Sequence, residues 1–179
     1  MKNILLLLAC FLLTHSVFAA DETPVPPEVQ KLVESLVTAF KTSDDVALKA
    51  CWHAPEVTGK VKAAEAAKEA KDAAKEEEKE IKKQTKNIDV SAARVGQMRT
   101  LISKYFGDLA QLTLTGVELG LDEDAPVEMP RYNSVHIHVR AGDGTVLELE
   151  VDDVVQIDGT WKFRERFDDE LTIELPDVD

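Results

Sequence analysis

From residue 28 to residue 106 the apolar positions recur with a helical period, and from residue 109 the period becomes two. Val29, Leu32, Val33, Leu36, Val37 and Phe40 are spaced as one face of a helix, with Glu28, Lys31, Glu34 and Lys41 between them. Pro24, Pro26 and Pro27 precede it, so residues 21–27 read as an extended lead-in and the helix begins at proline-tolerant positions. Ser43 followed by Asp44 and Asp45 reads as the start of a second, shorter helix carrying Val46, Ala47, Ala50 and Cys51, which Pro55 ends. Residues 60–86 hold nine lysines and seven acids among alanines, and Ala63, Ala67, Ala70, Ala74 and Ile81 form only a thin apolar stripe. Helix propensity is high there, and Glu65–Lys68, Asp72–Lys75, Glu76–Lys79 and Glu78–Lys82 can pair along the surface. The segment is expected to be a solvated helical insertion, with a partner-binding arm as the alternative. Ser91 is expected to cap a further helix lined by Val95, Met98, Leu101, Ile102, Tyr105 and Phe106, which Gly107 stops.

The second half reads as a meander. Leu109 to Leu119 alternates apolar residues with threonines. An acidic loop spans 120–131, strands follow at 132–141, 145–157 and 160–167, and residues 171–175 supply a short fifth. Val135, Ile137 and Val139 point one way and His136, His138 and Arg140 the other; Leu147, Leu149 and Val151 oppose Glu148, Glu150 and Asp152 in the same manner. A three-residue turn Gly142-Asp143-Gly144 sets His138 opposite Glu148 and His136 opposite Glu150, because a one-residue slip would turn the histidines toward leucines. Asp158-Gly159 is a two-residue hairpin turn that sets Asp153 against Arg164. A bulge near Asp153–Val155 is expected, which would move Asp152 opposite Arg164 and Glu150 opposite Arg166. The sheet then has one apolar face, including Trp161 and Phe163, and one face of histidines, acids and arginines.

Charge and the N-terminus add an address. Lys2, an apolar run from Ile4 to Leu13 and the small residues Ala19 and Ala20 have the order of a secretory signal, with cleavage after either alanine. The run is shorter than the ~20 residues of a membrane span. Leu7-Leu8-Ala9-Cys10 resembles a lipoprotein box, but Cys10 lies too early and the apolar region continues past it. Without residues 1–20 the chain carries 20 basic and 34 acidic residues, which disfavours nucleic acid and anionic membrane surfaces as partners. Residues 118–179 carry 18 of the acids and only five bases. Cys51 would then be the single cysteine of an exported chain, so stability rests on an apolar core rather than an internal disulfide. Residues 28–175 are expected to form one domain, with 176–179 a loose tail.

The opening helix with Lys41-Thr42-Ser43-Asp44-Asp45, the second helix to Trp52, and the closing hairpin through Asp158-Gly159-Thr160-Trp161-Lys162 resemble the nuclear transport factor 2-like superfamily, which includes SnoaL-like and ketosteroid-isomerase-like proteins. The resemblance covers residues 28–167. It implies an α+β fold in which N-terminal helices pack on a curved, mostly antiparallel sheet, a cone of cystatin-like architecture with a pocket, often dimeric through the sheet. The isomerases of that superfamily use an aspartate base with tyrosine and acid donors. No inward aspartate stands out here, and no catalytic residue is carried over.

Four aromatic or histidine side chains, Trp52, His53, Tyr105 and Trp161, are candidate pocket residues, and an apolar cavity there would suit a lipophilic small molecule. On the polar sheet face, two histidines two apart with facing carboxylates place His136, His138, Glu148 and Glu150 as candidates for a zinc-type shell or a dimer interface. Arg164 and Arg166 would compete for those acids. Asp122-Glu123-Asp124 with Glu128 lacks the glycine and third ligand of a calcium loop and reads as solvated. No phosphate loop, dinucleotide fingerprint, nucleophile elbow or Cys-x-x-Cys is present, and no cofactor is expected. The sequence therefore favours an exported module that binds a small ligand or a protein, with a homodimer through the sheet as one form, without catalysis. The alternative is a small-pocket isomerase, dehydratase or hydrolase.

Overall fold

The computed structural model describes residues 24–66, 70–125, 127, 129–168 and 171–174. The signal segment 1–20, Glu128 and the tail 176–179 lie outside the described residues. Among the described residues four helices precede a five-stranded sheet, and the α+β class expected from the sequence is what the chain adopts. Helix α1 spans Pro27–Thr42, α2 Asp45–Lys49, α3 Pro55–Ala66 and α4 Ala70–Tyr105. After a 3-10 turn at Leu109–Gln111 come β1 (Thr113–Leu121), β2 (Arg131–Arg140), β3 (Val146–Ile157), β4 (Thr160–Phe163) and β5 (Thr172–Glu174). The strands run antiparallel in the order β1-β2-β3-β4, and β5 pairs with the other end of β3. Among the described residues no helix is long and apolar enough to cross a membrane.

Helix α1 lays its full apolar stripe on the sheet, and Val29, Val33, Leu36 and Phe40 are buried. Opposite them stand Val135, Ile137 and Val139 of β2 and Leu147, Leu149 and Val151 of β3, all buried. Val95, Met98 and Ile102 of α4 complete this core together with Phe163 and Phe167. Trp161, expected on the apolar face, is only half-buried and stacks on Tyr132 with ring centres 5.5 Å apart.

The β2–β3 register is the one the alternation requires: His136 pairs with Glu150, His138 with Glu148, and Ile137 with Leu149. The turn closes with Ala141 N donating to Thr145 O (2.8 Å).

Three helix starts differ from the sequence reading. Helix α2 stops at Lys49, and Pro55 opens α3 rather than ending α2, because proline is tolerated in a first helical turn. Ser43 ends α1 in a left-handed conformation (φ 55°), and Asp44 caps α2, its carboxylate accepting from Val46 N and Ala47 N. An aspartate one residue on satisfies two free amides, so it displaces the hydroxyl as cap. Ser91 caps nothing. It lies inside α4, which runs unbroken for 36 residues because no proline interrupts it. The Ser91 hydroxyl instead accepts from Phe167 N at 2.9 Å.

That contact belongs to a longer seam. After Phe163 the chain leaves the ladder and crosses α4, which fastens its backbone. Asn87 Nδ2 donates to Arg164 O (3.5 Å) and to the Glu165 carboxylate (2.9 Å). Trp52 Nε1 donates to Glu165 O (2.7 Å), and Arg94 to Phe167 O (2.6 Å). Lys83 pairs with Glu165. Helix α3 folds back along α4, and at their closest approach a Cβ on Gly59 would lie 2.7 Å from the Ile81 side chain.

Asn87 is the buried hub of this seam, so Asn87→Ala should destabilise the protein by about 1–3 kcal/mol through the orphaned partners it leaves behind. Urea unfolding followed by circular dichroism measures this, and an unchanged midpoint would show that the seam contributes nothing.

Candidate functional site

The polar face of the sheet is built by strands β1 to β3. Between the core positions, Ser134, His136 and His138 of β2 stand beside Glu118 of β1 and Glu148 and Glu150 of β3. The side chains of His136, His138, Glu148 and Glu150 are 15% to 32% exposed, while that of Glu118 is 66% exposed. His136 Nδ1 lies 3.0 Å from Glu148 Oε1, and its Nε2 lies 3.1 Å from Ser134 Oγ and 3.9 Å from Glu150 Oε1. His138 Nε2 lies 3.4 Å from Glu118 Oε1.

Burial, reinforced by Asp152, Asp168 and Glu148 and opposed by His136, pushes the Glu150 carboxyl above the ordinary carboxylate range. Burial and the acids Asp168, Glu165 and Asp153 do the same to Asp152. The face therefore crowds negative charge beside one imidazole.

The two arginines expected on this face are elsewhere. An irregularity does sit at Asp153, whose φ is +55°. Yet between the pairs Val154–Phe163 and Val151–Phe167, Asp152 and Asp153 face three residues, Arg164 to Arg166. The extra residue thus lies on the arginine strand, opposite in sense to the expected bulge. Arg164 binds Asp153 through Nε and Nη2 at 2.6 and 2.5 Å, both groups being buried. Arg166 donates to Asn87 Oδ1 at 3.2 Å. Neither arginine pairs with Glu148 or Glu150, because turning Asp153 inward fixes Arg164 and the seam on α4 holds Arg166.

The aromatic candidates are distributed over separate places. Trp52 and His53 line a cleft of about 530 Å³ between the end of α2 and the β3–β4 hairpin, with Lys49 and Lys162 also on its walls. Trp161 lines a different cleft of about 460 Å³, shared with Leu32 and Cys51. Tyr105 is 60% exposed at the end of α4, where Lys104 Nζ sits 4.7 Å from its ring centre, and it lines neither cleft.

Trp52 packs on Phe163 at 5.4 Å. Residues 51–53 run beside β4, with His53 N donating to Phe163 O and Phe163 N to Cys51 O, both at 3.0 Å. The His53 ring is buried with Nε2 3.0 Å from Val155 O. Burial holds its pKa below the ordinary 6.5, against the pull of that carbonyl. Burial pushes the Cys51 thiol up to about 11, partly offset by Lys162. Cys51 and His53 lie in different clefts, so they do not form a nucleophile–base pair.

In the acidic loop, the Asp122 carboxylate is taken by Arg131 and by Asp124 N.

Several residues that matter here were absent from the sequence reading. Ser134 contacts His136, and Gln84 Nε2 holds His53 O at 3.2 Å. Arg99 donates to Phe40 O (2.9 Å) and Ala39 O (2.8 Å) and pairs with Asp45 (2.7 Å). Glutamine and asparagine on α4 at positions 84 and 87, followed by Ser91, share a helical face, and that spacing was the available signal.

His53 sets a pH dependence. Its folded pKa is below the unfolded value, so the unfolded chain binds the proton more readily. Its contribution is complete above pH 6.5 and declines as pH falls below that value. Urea midpoints between pH 8 and pH 5 should fall for the wild type and fall less for His53→Gln; parallel curves would refute this. Cys51 should likewise resist iodoacetamide at pH 8 until the protein is unfolded in urea, and rapid native-state alkylation would contradict its burial.

No protein-family model matches the chain, and no curated protein matches it. A solved structure, a cystatin-like protein from Ruminococcus gnavus ATCC 29149, superposes with a TM-score of 0.53 at 15% sequence identity. The match covers 83% of this chain but 45% of that one, so the chain spans less than half the length of its structural neighbour. The shared property is the fold: this is a helix-on-curved-sheet protein of cystatin-like architecture.

Proposed function

We propose that this protein is an exported, non-catalytic binding module of the nuclear transport factor 2-like superfamily that works through the open face of its sheet. The observation that carries this is the contrast between the two faces. The inner face, where the resembled enzymes keep a cavity, is filled by Val33, Leu36, Phe40, Ile102, Ile137, Leu149, Phe163 and Phe167, all buried. The outer face keeps Glu118, His136, His138, Glu148 and Glu150 within reach of solvent. Its acidity favours a cationic ligand or partner.

An isomerase, dehydratase or hydrolase asks for an acid or base facing an apolar cavity. His53, buried beside a cleft, commits a ring nitrogen to Val155 O.

Native mass spectrometry of the protein purified from its own host tests the proposal. The wild type should carry an extra mass or a second copy, and Glu150→Lys and His136→Glu should lose it. A bare monomer, or an adduct indifferent to both substitutions, overturns the reading.

A further inference from the structure

We infer that His136, Glu148 and Glu150 form a site for one divalent transition-metal ion, of which zinc is the appropriate probe. The inference rests on the binding-module reading above and names the cation the open face would take.

The three residues each offer one ligand atom, and these atoms all lie within 4.8 Å of one another. Atoms around a tetrahedral zinc, at bonds of about 2.0–2.2 Å, are about 3.3–3.6 Å apart. The 3.0 Å between His136 Nδ1 and Glu148 Oε1 is already near that spacing, while Glu150 Oε1, now 3.9 Å from Nε2, has to swing toward the Nδ1 side to complete the shell. The regular pairing of β2 and β3 from Val139–Leu147 to Ser134–Asp152 holds His136 directly opposite Glu150 and diagonal to Glu148.

Ser134 supplies what a metal-binding imidazole needs on its far side. Its hydroxyl lies 3.1 Å from Nε2, so it can accept that N–H and leave the Nδ1 lone pair for the metal. Gly120 makes room for this hydroxyl, since a Cβ there would come within 2.5 Å of Ser134 Oγ.

The charge balance points the same way. The two arginines that could neutralise Glu148 and Glu150 are bound to Asp153 and Asn87. Two crowded carboxylates therefore share one imidazole, a set with one nitrogen and two oxygens that suits a borderline divalent ion. Three protein ligands leave a fourth position for water or an external ligand. His138, directed to Glu118 at 3.4 Å, is not needed.

The test is calorimetric titration of chelator-treated full-length protein with zinc chloride, alongside His136→Gln, Glu148→Gln, Glu150→Gln and His138→Gln. Circular dichroism and thermal melting confirm that each variant is folded. One zinc per chain is expected, weakened by about tenfold or more in each of the first three variants and unchanged in His138→Gln. Ser134→Ala, a change to the positioning residue, should weaken zinc without altering the stoichiometry. No saturable binding, or binding that survives in His136→Gln, overturns the site. Retention of a native adduct on the sheet face by a protein that ignores zinc overturns this inference alone, while loss of both overturns it together with the binding-module reading.

Discussion

The backbone between Arg164 and Phe167 keeps only part of its pairing with β3, so its remaining polar groups need partners from outside the sheet. That constraint organises the molecule. Asn87, Ser91 and Arg94 reach it from α4, and Trp52 reaches it from the end of α2. Within the sheet, Asp153 O accepts from Arg164 N at 2.8 Å and Glu150 O from Asp168 N at 2.9 Å. The long helix is therefore attached through hydrogen bonds for two turns, alongside the half-buried Ile88 and Ala92, before its fully buried apolar residues begin at Val95. A buried amide is useful here because it donates and accepts at once, joining Glu165 on one side and Arg166 on the other.

Arg99 does the corresponding work for α1. Its guanidinium reaches the carbonyls of Ala39 and Phe40, adding to the bonds these accept from Asp44 N (3.1 Å) and Ser43 N (3.4 Å), and it lies 5.6 Å from the centre of the Phe40 ring. A positive charge at a helix C-terminus is favoured by the dipole, and Asp45 balances it. Arg99 thus adds a polar tie between α1 and α4, beside the apolar core that both helices share.

The same seam shapes the open face. Asp153 takes up a left-handed backbone conformation and turns its carboxylate inward to Arg164, while Arg166 is drawn to α4. The outer face is left with acids and imidazoles. Its negative charge is a consequence of how the arginines are used elsewhere, and burial, with the neighbouring acids adding to it, holds the Glu150 carboxyl above the ordinary carboxylate range.

The sequence by itself determined the α1 stripe, the strand alternation from residue 132 and the β2–β3 register. In each case a period of 3.6 or 2, or a turn of fixed length, leaves one arrangement that buries the apolar residues. It therefore also determined that His136 stands opposite Glu150 and His138 opposite Glu148 in the ladder, although the His136 ring reaches diagonally to Glu148 and that of His138 across to Glu118. Only the tertiary structure decided where Ser91, Asn87 and Gln84 go, because polar residues on a helix carry no local mark that separates a solvated face from a buried seam. It likewise decided the fate of the arginines: a one-residue irregularity costs little locally, and its placement on one strand or the other depends on which side chains the helix across it can satisfy. Trp52, His53 and Trp161 were recognisable as large buried or half-buried groups, but their division between two clefts follows from the crossing of residues 51–53 beside β4, a contact made more than a hundred residues along the chain.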